Sequence, residues 1–455
     1  MFYYSKKMVN VITYWTFDLF HEGHKNILKR AKEQWDYLIV WVTSENYDKL
    51  RGKLNVKQSL VERIENVKKS WFADKIIVEE YFGQKIEDIK KYNIDKFVIG
   101  SDWLWKFDYL MEYCEVIYLE RTKWVSSTQL RNSENWILKL WCVWAWRIAE
   151  RMCKESKYVS GISFDYVYGR NEKKIKEFSE KNDLSYYTTH YEDFLDKVDA
   201  VYVATPHLTH YDFTKKALKL KKHVLCEKPL TLKKNESEDL YKIAKENNVV
   251  LYEAIKTAYV PAFNRLIALA KSGIIGEIKD VEATFTKLIV DNNLRELDKQ
   301  QWWGSVNELV SYPLLVIFKL LWIDYNDISF YSFYGDKDVD LYTKILLKYD
   351  SAVATANIGI WVKKEGELIV SGTKGYIYVP APWWKTEYFE IRFEKANEIE
   401  KYFYKFDWDW LRYELAEFLK SINNQTENIY LKSEESIAIS DIIEKFDNNY
   451  NIYDI

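Results

Sequence analysis

Residues 13–31 read TYWTFDLFHEGHKNILKRA and residues 137–152 read ILKLWCVWAWRIAERM. In both stretches a β-branched apolar run stops at a short polar or small-residue turn and resumes as an amphipathic helix, the signature of a strand–turn–helix unit. Around the first, VNVITY precedes the turn, Ile27, Leu28 and Ala31 share one helical face, and YLIVWV follows, which completes a βαβ pattern. Further strands are predicted at 74–80, 95–100 and 115–120, and the polar RNSENW at 131–136 reads as a boundary. Around the second stretch the predicted strands are 137–143, 158–164, 199–206, 223–229 and 249–254. Beyond about residue 256 the pattern becomes alternating strands such as IKDVEATFTKLIV, KILLKYD, AVATANIGI and GELIVSG, which implies a mostly antiparallel sheet with a few helices. The expected fold is two parallel α/β domains, 1–132 and 137–255, followed by an α+β domain over 256–455. The two βαβ series share no detectable sequence repeat.

Composition narrows the function classes. The chain has 455 residues, 48% hydrophobic and 30% charged, enough to bury several cores and unlike a disordered polymer. Sixty-six Lys and Arg against 69 Asp and Glu give a net charge of −3, so no basic field attracts nucleic acid or an anionic membrane. No run of eighteen uncharged apolar residues occurs, and the opening MFYYSKKMVNVITY has no cleavage pattern, which leads to the expectation of a cytoplasmic protein. Cys114, Cys142, Cys153 and Cys226 show no CxxC spacing, so neither a disulfide framework nor a protein-held metal is expected.

Two counts stand out together. Glycine occurs 14 times, under half the usual roughly 7%, and tryptophan 19 times. Several tryptophans occupy positions that backbone physics assigns to glycine: Trp15 at the end of the first strand, Trp35 and Trp71 after helices, and Trp144 and Trp146 in the second turn. The chain is also rich in Lys, Asn, Ile and Tyr, as low-GC genomes dictate, and some such genomes read UGA as glycine where other code tables read tryptophan. The sequence therefore predicts glycine in the working chain at a subset comprising positions 15, 35, 41, 71, 105, 124, 136, 141, 144, 146, 322, 361, 408 and 410. Trp103 and the pair Trp383–Trp384 read as true tryptophans.

The first turn sets His21 and His24 around Gly23 at a helix start, where free N–H groups and the helix dipole favour phosphate and two imidazoles can serve a phosphoryl group in displacement. T-F-D-L-F-H-E-G-H resembles the signature of nucleotidyltransferases, in particular the glycerol-3-phosphate cytidylyltransferases. The likeness continues through VERIENVKKS, GSDWLWKFDYL at 100–110 and RTKWVSSTQLR at 121–131. It implies a Rossmann-like nucleotidyltransferase domain in which His21 and His24 stabilise the transferring phosphoryl group. Arg121, Ser127 and Thr128 would hold the triphosphate, and Thr16, Phe17, Arg63, Asp102 and Trp103 would shape the nucleotide and acceptor pocket. A lysine of the DKLRGK loop, Lys49 or Lys53, would neutralise CTP phosphates, with Lys49 the first choice, and Mg²⁺ would accompany CTP. Trp15, Trp105 and Trp124 each stand where that family has glycine.

The second turn reads W-A-W-R-I-A where a dinucleotide site reads G-A-G-R-I-A. Together with ATPHLTH at 204–210, CEKPL at 226–230 and Glu253–Ala254, it resembles the glucose-fructose oxidoreductase and inositol dehydrogenase (Gfo/Idh/MocA) family. The resemblance implies an NAD(P)-binding Rossmann domain with cofactor contacts from Trp144, Ala145, Trp146, Arg147, Ile148, Thr205, Pro206, His210 and Glu227. Lys228 of E-K-P would hydrogen-bond the reacting oxygen beside the nicotinamide. In GSVNELVSYPLL, Glu308 and Tyr312 would face the substrate, the tyrosine donating a proton and a nearby lysine lowering its pKa. At the strand end that carries an acid in NAD-selecting sites stand Gly169 and Arg170, an arginine suited to a 2′-phosphate, so NADP is expected ahead of NAD.

The combined expectation is a bifunctional, homo-oligomeric enzyme that makes a CDP-polyol from CTP and a polyol phosphate and reduces or oxidises a sugar or polyol, in service of cell-surface polymer synthesis. Two alternatives remain open at this level: an oxidoreductase acting on an unrelated sugar, and an inactive scaffold if every indole is real.

Overall fold

Five short apolar runs, each covered by helices on both faces, form the strands of the first sheet: β1 (Asn10–Trp15), β2 (Tyr37–Thr43), β3 (Lys75–Glu79), β4 (Lys96–Gly100) and β5 (Glu115–Leu119). They pair in the order β3-β2-β1-β4-β5, every pair parallel. Alternate side chains serve opposite cores. Val11, Leu38, Val40, Val42 and Val98 meet Leu28 and Ala31 of the helix Glu22–Lys32 and Val67 of the helix Leu60–Lys69. Ile12, Tyr14, Ile39, Trp41, Phe97 and Ile99 meet Ile89 of the helix Gln84–Lys91. The strand order reverses between β1 and β4, and a crevice outside the carboxyl ends at such a switch point is where open α/β sheets bind ligands.

This computed structural model describes residues 8–33, 36–50, 53, 56, 58–81, 83–120, 137–143, 147–289, 304–335, 338–395, 397–405 and 409–455. The chain divides into two compact units, residues 1–137 with 157–161, and residues 138–156 with 162–455. The predicted dinucleotide and α+β domains thus fall in one unit.

The second unit opens with another parallel sheet: β6 (Leu138–Val143), β7 (Ile162–Ser163), β8 (Tyr166–Tyr168), β9 (Tyr186–Thr188), β10 (Ala200–Val203), β11 (His223–Glu227) and β12 (Leu251–Ala254). Its order is β12-β11-β10-β6-β8-β9, with β7 also on β6. The strand predicted over 158–164 shrinks to the two residues of β7, because Gly161 at φ 86° turns the chain, and β8 takes its place further on. A nine-stranded sheet follows: β13 (Ile278–Thr286), β14 (Asp327–Tyr334), β15 (Asp340–Lys348), β16 (Val353–Gly359), β17 (Leu368–Gly372), β18 (Gly375–Val379), β19 (Tyr388–Phe393), β20 (Ile399–Phe403) and β21 (Ile452–Asp454). It runs β20-β19-β18-β17-β13-β16-β15-β14-β21 and is antiparallel except at β13–β16 and β14–β21. The apolar helix Ser311–Leu321 packs on β13. The helix Leu411–Asn424 packs on the helix Arg147–Ser156, and a buried two-pronged ion pair joins them, Arg412 Nε to Glu155 Oε2 at 2.7 Å and Nη2 to Oε1 at 3.1 Å. Among the described residues no helix is long and apolar enough to cross a membrane.

Candidate functional site

In the first unit, β1 ends at Trp15 and the chain turns through Phe17 and Leu19, both at positive φ, into the helix that His21 caps. The cap orders both imidazoles. His21 Nδ1 accepts the Gly23 N–H at 3.1 Å, His24 Nδ1 accepts the His21 N–H at 3.4 Å, and the rings stack 3.9 Å apart. With each Nδ1 accepting, a neutral ring must carry its proton on Nε2, so each imidazole offers that N–H as a donor. Phe17 is fully buried against His24, which leaves only its backbone to meet a ligand.

Arg63 is fully buried. Its Nη1 donates to the carbonyls of Thr16 and Thr43, each at 2.8 Å, and lies 3.4 Å from Asp48 Oδ2. Asp48, which no sequence motif marked, also accepts from Thr43 Oγ1 at 2.8 Å and lies 3.4 Å from Thr16 Oγ1. This network ties the ends of β1 and β2 together beside the histidines. Of the two loop lysines, Lys49 is exposed, whereas the Lys53 ammonium reaches the Thr16 hydroxyl. Asp102 is exposed in the turn after β4, with Trp103 half-buried next to it. The Trp15 indole occupies the switch-point crevice: its edge would lie 3.6 Å from a Cβ on Gly100, and its ring faces those of His24 and Trp103. Arg121, Ser127 and Thr128 lie outside the described residues, as do Trp144, Ala145 and Trp146.

In the second unit a cavity of about 430 Å³ opens beside the carboxyl ends of β10, β11 and β12, lined in part by Arg147, Ile148, Thr205, His210, Glu227, Lys228, Glu308 and Tyr312. Lys228 and Glu308, eighty residues apart, meet there: Lys228 Nζ donates to the Glu308 carbonyl at 2.7 Å and lies 3.3 Å from its Oε2. Lys287 Nζ stands 3.4 Å from Oε1 and His207 Nε2 3.8 Å from Oε2. Burial alone would raise the Glu308 carboxyl, but Lys228, Lys287 and His207 outweigh it and hold it at about 2. Glu308 is therefore a fixed anion that orients Lys228, not a group that trades protons near neutrality. Tyr312 lies with its ring centroid 5.9 Å from Lys228 Nζ. Contrary to the expectation of a lysine-lowered phenol, burial and then Glu227, Glu308 and Glu414 push Tyr312 up, so it stays a protonated donor.

His210 is fully buried, with Nδ1 2.8 Å from the Pro229 carbonyl and Nε2 2.9 Å from that of Thr205. It thereby ties the β10 end to the loop after Lys228, and burial lowers its pKa. Glu227 accepts the Tyr202 hydroxyl, and burial raises its carboxyl. Pro206 is half-buried and starts the turn His207–Thr209. Thr205 Oγ1 is buried with no hydrogen-bond partner among the described residues, a polar atom available to a ligand. Gly169 has a concrete steric reason: a Cβ there would come 2.5 Å from Ile175 Cγ2, so any side chain would have to displace Ile175, and Arg170 next to it is exposed. A cavity at the strand ends, the helix Arg147–Ser156 starting at its rim and an unsatisfied hydroxyl together fit a dinucleotide.

Comparison with known proteins agrees with the two parallel α/β folds. A cytidylyltransferase-like family model matches residues 12–185, and a model of an oxidoreductase family with an NAD-binding Rossmann fold matches residues 148–255. The chain is 46% identical over 130 residues to a glycerol-3-phosphate cytidylyltransferase of Bacillus spizizenii, covering 28% of this chain and 96% of that protein. It is 32% identical over 121 residues to an NADP-dependent scyllo-inositol 2-dehydrogenase of Bacillus subtilis, covering 26% of this chain and 37% of that protein. A 3-ketoreductase of Actinomadura kijaniata, solved with NADP and TDP-benzene, superposes with a TM-score of 0.64 at 21% identity over 70% of this chain and 99% of its own, a likeness of fold.

Proposed function

Because the chain belongs to the glycerol-3-phosphate cytidylyltransferase family through its N-terminal domain and continues as a Gfo/Idh/MocA-type oxidoreductase domain with an NAD-binding Rossmann fold, we propose that it catalyses two consecutive steps. A keto sugar phosphate is reduced to a polyol phosphate, and the polyol phosphate displaces pyrophosphate from CTP to give a CDP-polyol. The observation that carries this reading is the charge of the second-unit cavity. Five cations line it, Arg147, Arg151, Lys228, Lys256 and Lys287, against the carboxylates Glu227 and Glu308. After the pyrophosphate of a dinucleotide is neutralised, positive charge remains for a phosphorylated substrate.

In reduction, bound NADPH supplies hydride. Lys228, steadied by Glu308, donates a hydrogen bond to the substrate carbonyl oxygen, and Tyr312 keeps a proton available for the alkoxide that develops. Arg170 favours NADP through a 2′-phosphate. In cytidylyl transfer, an oxygen of the polyol phosphate attacks the α-phosphorus of CTP and the bond to pyrophosphate breaks. His21 and His24 donate from Nε2 to the phosphoryl oxygens as charge builds, and Lys53 lies nearer the Thr16 turn than Lys49 for holding phosphate. Mg²⁺ enters with CTP, since it is held mainly by substrate phosphates.

The test measures pyrophosphate released from CTP with glycerol, ribitol and erythritol phosphates, and NADPH consumed with the matching keto sugar phosphates and their unphosphorylated forms. The proposal expects a preferred pair in which the reduced product is the better cytidylyl acceptor. Equal use of unphosphorylated sugars, or a reduced product that CTP does not activate, removes the coupling.

A further inference from the structure

Among the described residues fourteen other than glycine have positive φ, and four of them are tryptophans: Trp71 at 61°, Trp105 at 70°, Trp322 at 68° and Trp410 at 63°. Six others are Asn or Asp, the types that tolerate this region, whereas a bulky side chain there is an outlier. No described tyrosine appears among them, although the chain has 36, and Phe17 is the one other aromatic of the fourteen, so aromatic abundance does not account for the tryptophans.

Their places are those of glycine. Trp71 follows the C-cap Ser70 of the helix Leu60–Lys69, and Trp322 ends the helix Ser311–Leu321. A left-handed residue just past a helix is glycine's commonest structural role. Trp71, Trp105 and Trp322 are 90%, 75% and 62% exposed, so burial does not explain their indoles. Trp15 lies at the sheet's switch point, in ordinary contact beside Gly100 and edge-on to Trp103. One more conflicts with its surroundings by contact. Trp141 is buried in β6 with its ring centroid only 3.3 Å from that of Tyr166, and its N–H has no partner among the described residues. Other tryptophans behave as tryptophan does: Trp383 donates to the Thr284 carbonyl at 2.8 Å, and Trp103 packs on Phe107. Trp41, predicted with the glycine set, lies in β2 and donates to Asp88 at 2.9 Å, so its backbone and contacts offer no sign of glycine.

We propose that one codon behind these residues is read as glycine in the source cell, and that the working polypeptide carries glycine at 15, 71, 105, 141, 322 and 410 and tryptophan at 103 and 383. Glycine at 15 then opens the crevice between the ends of β1 and β4 to the nucleotide. That last consequence rests on the proposed cytidylyl transfer; the residue assignment does not.

Fragment-ion mass spectrometry of the protein isolated from its own cells decides the assignment. Within the single tryptic peptide FVIGSDWLWK, residues 97–106, it should find tryptophan retained at 103 and residue 105 lighter by a methylindole group. The peptides across 15, 71, 141, 322 and 410 should show the same loss, and the one across 383 none. An indole at 105 and at the other left-handed positions overturns the proposal. For the crevice, calorimetric titration with CTP compares the full chain as written with its Trp15→Gly form. At least tenfold tighter binding by the latter is expected, and equal binding removes the claim about the crevice. Glycine in the native peptides without cytidylyl transfer would leave the recoding standing and refute the function, and indoles in an active enzyme would do the reverse.

Discussion

Glu308 offers a quantitative handle on the second site. Its carboxyl falls from an ordinary 4.5 to about 2, and 2.5 units at roughly 1.36 kcal/mol each give about 3 kcal/mol of stabilisation of the charged form. Lys228 and Glu308 expose only 11% and 18% of their side chains, but Lys287 exposes 37%, so solvent screening of that partner brings the working figure to about 2–3 kcal/mol. Replacing Glu308 by Gln keeps the shape and leaves the cations converging without their anion, so E308Q should lose about that much at pH 7. The sign with pH follows from the depressed value. The stabilisation is fully present above about 4.5 and is lost as pH falls through about 2, so near pH 3 the gap between the two proteins should narrow to roughly 1 kcal/mol. Urea unfolding of both proteins at pH 7, 4 and 3, followed by a probe in the second unit, measures the gap directly. A gap that stays constant with pH would show that charge is not its source and would refute the argument that Lys228, Lys287 and His207 hold this carboxylate in its charged form.

Four further outcomes are expected. Trp71→Gly and Trp105→Gly should each raise first-unit stability by about 1 kcal/mol, read in thermal melts, because each relieves a left-handed backbone and gives up an indole that is mostly in water. Trp383→Gly should instead cost several kcal/mol, since it empties a fully buried site and removes the indole N–H donor from the Thr284 carbonyl. Lys228→Met should cut NADPH-dependent reduction by about 10²-fold or more while leaving pyrophosphate release from CTP unchanged, and His24→Ala should do the opposite. Gly169→Ala should destabilise the β8 end by about 1–3 kcal/mol, because its methyl group meets Ile175, and it should weaken NADP binding measured by fluorescence.

Much of this was legible before any coordinates. The chemistry of His21-x-x-His24 and of Glu227-Lys228-Pro229 lies in contiguous residues, and local spacing places such groups at a turn without help from the rest of the chain. The parallel strands announced themselves as apolar runs because helices cover both faces of each sheet. The predicted strand over 158–164 failed for a local reason, a left-handed glycine at 161. Asp48 was missed for another: its flanking residues are polar, and only the closure of β1 against β2 takes it and Arg63 out of water.

What the amino-acid order determined by itself was the sequence of strand, turn and helix and the excess of indoles over glycines, since these depend only on the residues themselves and their near neighbours along the chain. Only the tertiary structure decided that Lys228, Lys287 and His207 converge on one carboxylate, that Tyr312 is raised by burial, and which tryptophans sit in left-handed backbone. Electrostatic fields and steric conflicts depend on distance in space, and folding brings together groups that the chain keeps eighty residues apart.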